Sequence, residues 1–157
     1  MNQLSFEIIT PIDFFGKLIE DHREYAGDLL SSRRAINCAM SAWHLLDWIY
    51  WEYYHVSMEK RELMDKVQRE CPAFIILQDI TNGSKHYRIT YYTSRVASTE
   101  HHRGAFSSGF SRGFDISTLE VIKTDGTRHF YEDIINEAIV YWRLFFKNEL
   151  NIELPAH

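Results

Sequence analysis

Residues 35–55 read AINCAMSAWHLLDWIYWEYYH, a stretch of helix length with apolar side chains all around its circumference. At about 100° per residue, Ile36, Ala39, Met40, Trp43, Leu46, Ile49, Tyr50 and Tyr53 form a broad apolar sector. Asn37, Ser41, His44, Trp48, Trp51 and His55 fall within about 80° of one another on the remaining side. A helix apolar on one side and aromatic-polar on the other is central and covered on most faces. The polar stripe must then meet a partner helix, a second subunit or a ligand. With 157 residues, 45% of them hydrophobic, the chain can bury one proper core around such a helix.

The flanking segments are punctuated clearly. Thr10 is placed to cap a first helix, with Pro11 at its first position and Asp13 in its first turn. His22 falls on the apolar face of that helix and reads as a core histidine with a hydrogen-bond partner. Ser31 and Ser32 separate it from the aromatic helix, with Ser32 as the candidate cap, so the two form an antiparallel hairpin. Ser57 is expected to cap a third helix, MEKRELMDKVQRE. Cys71-Pro72 interrupts it and opens a fourth, which Asn82-Gly83 is expected to stop. His86 to Thr93 reads as a strand and residues 94–113 as a loop. STLEVIKTDGTRHFY gives two strands around an Asp125-Gly126 turn, and a last helix runs from about Glu132 to Leu150. The expected fold is α-rich, of the α+β class. It is a single domain over 1–157, a four- to five-helix bundle with a small antiparallel β-sheet inserted before the last helix, at about 84–131.

Charge and cysteine usage exclude several classes. A net charge of −5 argues against a general nucleic-acid coat, while leaving room for a local basic patch. Cys38 and Cys71 read as reduced core thiols. The start, MNQLSFEIITP, is unlike a signal peptide, and Asp47 and Glu52 break the best candidate membrane span, so a cytoplasmic location without membrane association is expected.

Two constellations can carry chemistry. His44 and Asp47 are neighbours on the central helix, and Asp79, Asn82 and His86 share a face of the fourth helix if it continues past Gly83, with Lys85 adding a cation. Facing each other, these six would supply acid–base groups in an aromatic-lined pocket. The alternative is a buried polar network. The close HxxxH or HExxH spacing of a specific metal site is missing, and no metal or other cofactor is expected. The second constellation is basic. Lys85, Arg88, Arg95, Arg103 and Arg112 stand against Glu100 alone within residues 84–114, with His101 and His102 as further donors. Phe106, Phe110 and Phe114 are interleaved with glycines. Cations, rings and a pliable backbone suit single-stranded RNA, and the alternative is a solubilising surface loop. Trp48 and Trp51 on the aromatic stripe are candidates for a homodimer interface.

The segments NCAMSAWHLLDWIYWEYY and CPAFIILQDITNGSKHYRI resemble small bacterial and phage-borne proteins similar to the HEPN superfamily of helical-bundle domains. The resemblance covers roughly residues 10–90 and the last helix, and implies a helical bundle that dimerises. Many HEPN domains are metal-independent ribonucleases with an Arg-x(4–6)-His motif and a polar residue after the Arg. Arg95 with His101 or His102 matches that spacing, but Val96 follows the Arg. Asn82-Gly-Ser-Lys-His86 has Asn where the motif has Arg. The resemblance thus implies either a ribonuclease or a non-catalytic interaction module.

Overall fold

A computed structural model describes residues 4–107, 109, 111 and 113–156. The elements run α1 Pro11–Ala26, α2 Ser32–Ile49, a π-helical turn Tyr50–Tyr54, α3 Lys60–Glu70, α4 Ala73–Lys85, β1 Val96–His102, β2 Thr118–Lys123, β3 Arg128–Phe130 and α5 Tyr131–Asn148. The fold is the expected α+β one: five α-helices with a small antiparallel sheet of order β1-β2-β3 ahead of the last helix. No helix among the described residues is long and apolar enough to cross a membrane.

Helix α2 is central, and its buried face is turned from the one expected: Ala39, Leu46, Ile49 and Tyr50 of the expected sector are buried and the rest are not. Ala35, Cys38, Ala39, Ala42, Leu45, Leu46 and Ile49 are buried, whereas Met40 and Tyr53 are exposed and Trp43 is half-buried. The reason is steric. Small residues let α1, α4 and α5 approach the α2 backbone closely, and the bulky rings are pushed to the flanks. Two α5 side chains exploit this approach. Trp142 Nε1 donates to the Ala42 carbonyl at 2.9 Å and the Tyr131 hydroxyl to the Ala35 carbonyl at 2.5 Å. Both rings are buried, so these bonds satisfy polar tips that would otherwise lose water without compensation.

Part of the polar stripe, Ser41 and Trp48, is covered by α1 within the same chain, while His44, Trp51 and His55 are exposed. Ser41, 1% exposed, donates to Asp21 Oδ2 at 2.5 Å, and Lys17 Nζ lies 2.6 Å from both. Trp48 stacks on Phe14 at 5.0 Å between centroids. The helix that does this starts as expected. Thr10 Oγ1 accepts from the Asp13 N–H, and the Thr10 N–H donates back to the Asp13 carboxylate. The Thr10 hydroxyl and the backbone donors hold the Asp13 carboxyl below its usual pKa.

Several boundaries differ from expectation. Ser31, not Ser32, caps α2, accepting from the Arg34 N–H. Ser57 caps nothing. Its hydroxyl donates to the Tyr54 carbonyl, and α3 begins only at Lys60. The π turn, closed by His55 N–H to the Tyr50 carbonyl, uses the residues that a simple α-helix would have carried to Ser57. His22 is half-buried and bonds Asn136 of α5 at 2.9 Å. Cys71 is extended, at φ −137° and ψ 91°, and separates α3 from α4 as expected. Helix α4 does not stop at Asn82-Gly83 but continues to Lys85, because His86 N–H still reaches the Asn82 carbonyl. Both cysteines are free and buried, and burial pushes the Cys38 thiol up to about 12 and the Cys71 thiol to about 11.

The sheet corrects the strand assignment. Residues 86–95 form an irregular strap, and the first strand lies in the supposed loop, at Val96–His102. The hairpin between β2 and β3 is as expected. Gly126 takes φ +85° and Asp125 Oδ1 accepts from the Thr127 N–H and hydroxyl. Leu119 and Val121 point into the core, while Glu100, His102, Glu120 and Arg128 lie on the other face. Glu100 and Glu120 oppose each other in the ladder, and Arg128 approaches both, at 3.9 and 3.0 Å. It neutralises a repulsive cross-strand pair.

Candidate functional site

The strap 86–95 is held by one buried carboxylate. Asp79, 5% exposed on α4, accepts from the Tyr92 hydroxyl at 2.9 Å and from the Arg95 and Val96 N–H groups at 2.6 and 3.0 Å. Asn82 Nδ2 donates to the same Tyr92 oxygen at 3.0 Å. Burial and the Asp79 bond push the Tyr92 hydroxyl up to about 12, so it remains a donor. The extra turn of α4 past Asn82 makes this clasp, since it brings His86 and the strap back over the helix.

Beneath the strap is a cleft of about 530 Å³, walled by α2 and α4 on one side and by β1 and β2 on the other. His86 lines it, with its ring 5.7 Å from Tyr91. His101 lines it from β1 and places Nε2 3.2 Å from the Leu30 carbonyl, between α1 and α2.

The six expected acid–base residues are therefore divided. His86 and Asp79 belong to the sheet-side cleft, and Asp79 and Asn82 have their bonds committed to the strap. His44 and Asp47 line a separate cleft, also about 530 Å³, with Phe14, Trp43, Trp48 and Lys60. Asp47 pairs there with Lys60. The surrounding wall desolvates the His44 imidazole and lowers its pKa, opposed by Asp47 and reinforced by the ammonium groups of Lys85, Lys17 and Lys60. Lys85 thus acts electrostatically on His44 from the end of α4, while its neighbour His86 serves the other cleft. Among the described residues no group of three or more His, Cys, Asp or Glu is placed to hold a metal ion.

The basic residues fare differently. Lys85, Arg88, Arg95 and Arg103 are exposed, and no ion pair among the described residues engages them. Arg112 and Phe110 lie outside the described residues. His102 is not a free donor. Its Nε2 is 2.6 Å from Asp115 and its Nδ1 3.8 Å from Glu120, and the Asp115 bond raises its pKa. Asp115 also ties down the loop after β1, accepting from the Ala105 N–H. Gly104 is required at the neck of that loop, because a Cβ would meet the Asp115 carbonyl at 2.2 Å.

Of the two interface candidates, Trp48 is covered by Phe14, and Trp51 is 59% exposed on the π turn. Sequence reasoning missed two groups on the strap. Tyr87 is fully exposed and Tyr91 is 61% exposed. Their alternation with Arg88 and Ile89 looked like a strand pattern, and the length of the run was the same for a strap. The Tyr92 clasp was also missed. Its signal was a polar pair at 79 and 82 on a helix whose neighbours are apolar. Comparison of the chain with protein-family models, with curated proteins and with solved structures finds no match.

Proposed function

We propose that this protein acts on single-stranded nucleic acid, RNA foremost, at the surface formed by the strap and the sheet-side cleft. One observation carries the proposal. In a chain of net charge −5, cations at 85, 88 and 95, without an ion pair among the described residues, alternate along the sequence with the exposed rings of Tyr87 and Tyr91, in a segment whose His86, Tyr87, Ile89 and Ser94 line a cleft. Cations hold phosphates and rings stack with bases whatever their identity. The clasp through Asp79 keeps the strap in place before the ligand arrives, which lowers the entropy cost of binding.

The resemblance to HEPN domains extends the proposal to metal-independent cleavage, with His86 and His101 as proton-transfer groups and Lys85, Arg88 and Arg95 on phosphate. A cytoplasmic location belongs to the same reading. A non-catalytic interaction module is the second reading, and Trp51 favours it: with Met40 and Tyr53 it leaves apolar surface exposed on α2 and the π turn, where a second copy would pack.

Fluorescence anisotropy with labelled single-stranded RNA at low salt tests the first reading, and the same samples incubated with a chelator test cleavage. Saturable binding that weakens steeply with salt is the expected result. No binding at low salt would leave the interaction module.

A further inference from the structure

We infer that the open edge of β1 in the sheet-side cleft takes up one extended segment as a fourth strand, and that this segment is residues 4–8 of a second copy of the chain. Such docking uses the backbone of β1 and not the exposed side chains of the strap, so it goes beyond the nucleic-acid reading. With the order β1-β2-β3, β1 has β2 as its one strand neighbour. The Lys123 N–H donates to the Thr127 carbonyl, on the β3 side. Lys123, Val121 and Leu119 therefore turn their backbone groups to β3, and Ile122, Glu120 and Thr118 turn theirs to β1. The ladder partners of those last three are Ser98, Glu100 and His102. Thr99 and His101, between them, point N–H and C=O outward, and nothing among the described residues bonds these four groups. Val96, opposite Lys123, is also turned outward, and its N–H reaches Asp79 Oδ2 on α4 at 3.0 Å. The open edge thus looks across the cleft toward α4, and Ser98 to His101 line that cleft without a gap. An extended backbone alternates donors and acceptors in the same way and can meet all four groups.

The occupant is written in the same chain. Leu4-Ser5-Phe6-Glu7-Ile8 alternates apolar and polar residues like a strand, yet lies outside the sheet. Leu4 and Phe6 are 89% and 92% exposed. The segment is folded into a turn, with the Ile8 N–H donating to the Ser5 carbonyl at 3.1 Å. That turn holds Phe6 at φ +56°, a left-handed conformation unfavourable to a residue with a Cβ. Extension along β1 releases this strain. It lays Leu4, Phe6 and Ile8 on the aliphatic walls at Ile36 and Ile80 and turns Ser5 and Glu7 away. The same molecule cannot supply the segment. The Ile9 and Thr10 N–H groups are bonded to Asp13, and the next residue, Phe14, lies on Trp48. Between Trp48 and the cleft residue Ile36, α2 rises by about 18 Å. Ile8, next to the anchored Ile9, does not span that distance. A donor that cannot fill its own acceptor joins copies head to tail, and one short strand is a small contact, so association depends on concentration.

Sedimentation across a dilution series, and an NMR titration of nitrogen-labelled protein with a synthetic peptide of residues 1–9, test this docking. Concentration-dependent association is expected, with the peptide shifting the Thr99 and His101 amides and dispersing the assembly. Phe6→Asp, at an exposed position, should leave a monomer whose cleft still binds the peptide. Thr99→Pro removes an outward N–H that no ladder bond uses, so β1 keeps its pairing. It should weaken the peptide about tenfold, through one lost hydrogen bond and the obstruction by the ring. If circular dichroism shows Thr99→Pro misfolded, the Phe6→Asp comparison decides by itself. A monomer at every concentration with unmoved amides would overturn the docking. So would association that survives Phe6→Asp and is lost in Trp51→Ala, which places the contact at the π turn. Amide shifts at Thr99 and His101 with a uridine hexamer but not with the peptide would also overturn it, and give the edge to nucleic acid. Failure of the docking leaves hexamer binding at the strap untouched, and failure of the strap reading leaves the peptide shifts in place.

Discussion

The two clefts of this molecule have the same volume, about 530 Å³, and differ in what their walls have left to offer. Beside α1, rings rest on one another and charges are matched. Phe14 stacks on Trp48, Asp47 holds Lys60, and Lys17 is spent on Asp21 and Ser41. Beside the sheet, Ile36, Ile80, Ile89, Val96 and Val121 share the lining with His86 and His101, and Lys85, Arg88 and Arg95 in the adjoining segment have no carboxylate partner among the described residues. Volume reports how helices of unequal side-chain size fit together. Unsatisfied bonding capacity reports where a ligand would lower the free energy. On the aromatic-polar stripe of α2, Ser41 and Trp48 are satisfied by α1, while His44, Trp51 and His55 stay exposed.

The largest expected effect tests whether the sheet-side cleft depends on its clasp. Asp79→Ala strips the Tyr92 hydroxyl and the Arg95 N–H of their acceptor in a buried setting, at a cost of about 3 kcal/mol. Urea denaturation measures it, and a loss under about 1 kcal/mol would mean that the strap is not held from α4. Asp47→Ala in the other cleft removes an exposed ion pair and should cost only about 0.5 kcal/mol.

The aromatic stripe supplies the next contrast. Trp48→Ala loses the stack on Phe14 and should cost about 2 kcal/mol, less than a fully buried Trp because the ring is half-buried. Trp51→Ala should change monomer stability by no more than about 0.5 kcal/mol. Sedimentation then reads its separate role. If the protein self-associates through the π turn, this variant dissociates while Trp48→Ala does not. Equal destabilisation by both would show that Trp51 is covered too.

The element order was legible because it is written in local chemistry. Thr10-Pro11, Cys71-Pro72 and Asp125-Gly126 each constrain the backbone within three or four residues, and each does what its type dictates. What failed depends on distant partners. No local rule says that α2 turns Ala35, Cys38 and Ala42 inward, since that depends on how closely α5 approaches. No local rule keeps Gly83 in a helix, or moves pairing from 86–93 to 96–102. The Asp79 clasp and the ladder to β2 decide both. For the site, the basic segment was visible as composition, while the partition of His44 from His86 was not. Helical projection places residues on a face but not on a side of the neighbouring helix.

A binding measurement sharpens the contrast between the clefts on the ligand side. Arg88→Ala with Arg95→Ala should weaken low-salt binding of single-stranded RNA about tenfold, and should reduce the salt slope by about 1.4, at roughly 0.7 per lost phosphate contact. Lys60→Ala, beside the α1-side cleft, should change neither. An undiminished slope in the double variant would remove the strap from the interface.

The smallest effect is a difference in sign between two histidines. His44 is desolvated by its aromatic wall, so its folded pKa lies below the unfolded value of about 6.5. Between those two values the unfolded chain binds more protons, and stability from this residue falls as pH drops through the window. His102 is raised by its bond to Asp115, so its folded pKa lies above about 6.5. Its contribution is complete below the unfolded value and is lost as pH rises through the folded one. The two slopes oppose each other, and a global melting curve will blur them. Imidazole proton shifts separate them, with His44 expected to titrate below about 6.5 and His102 above it. A second titration in Asp115→Asn should return His102 toward the ordinary value and leave His44 unmoved. Should His44 titrate at or above the ordinary value instead, the α1-side wall would not be excluding water, and that cleft would regain its standing beside the other.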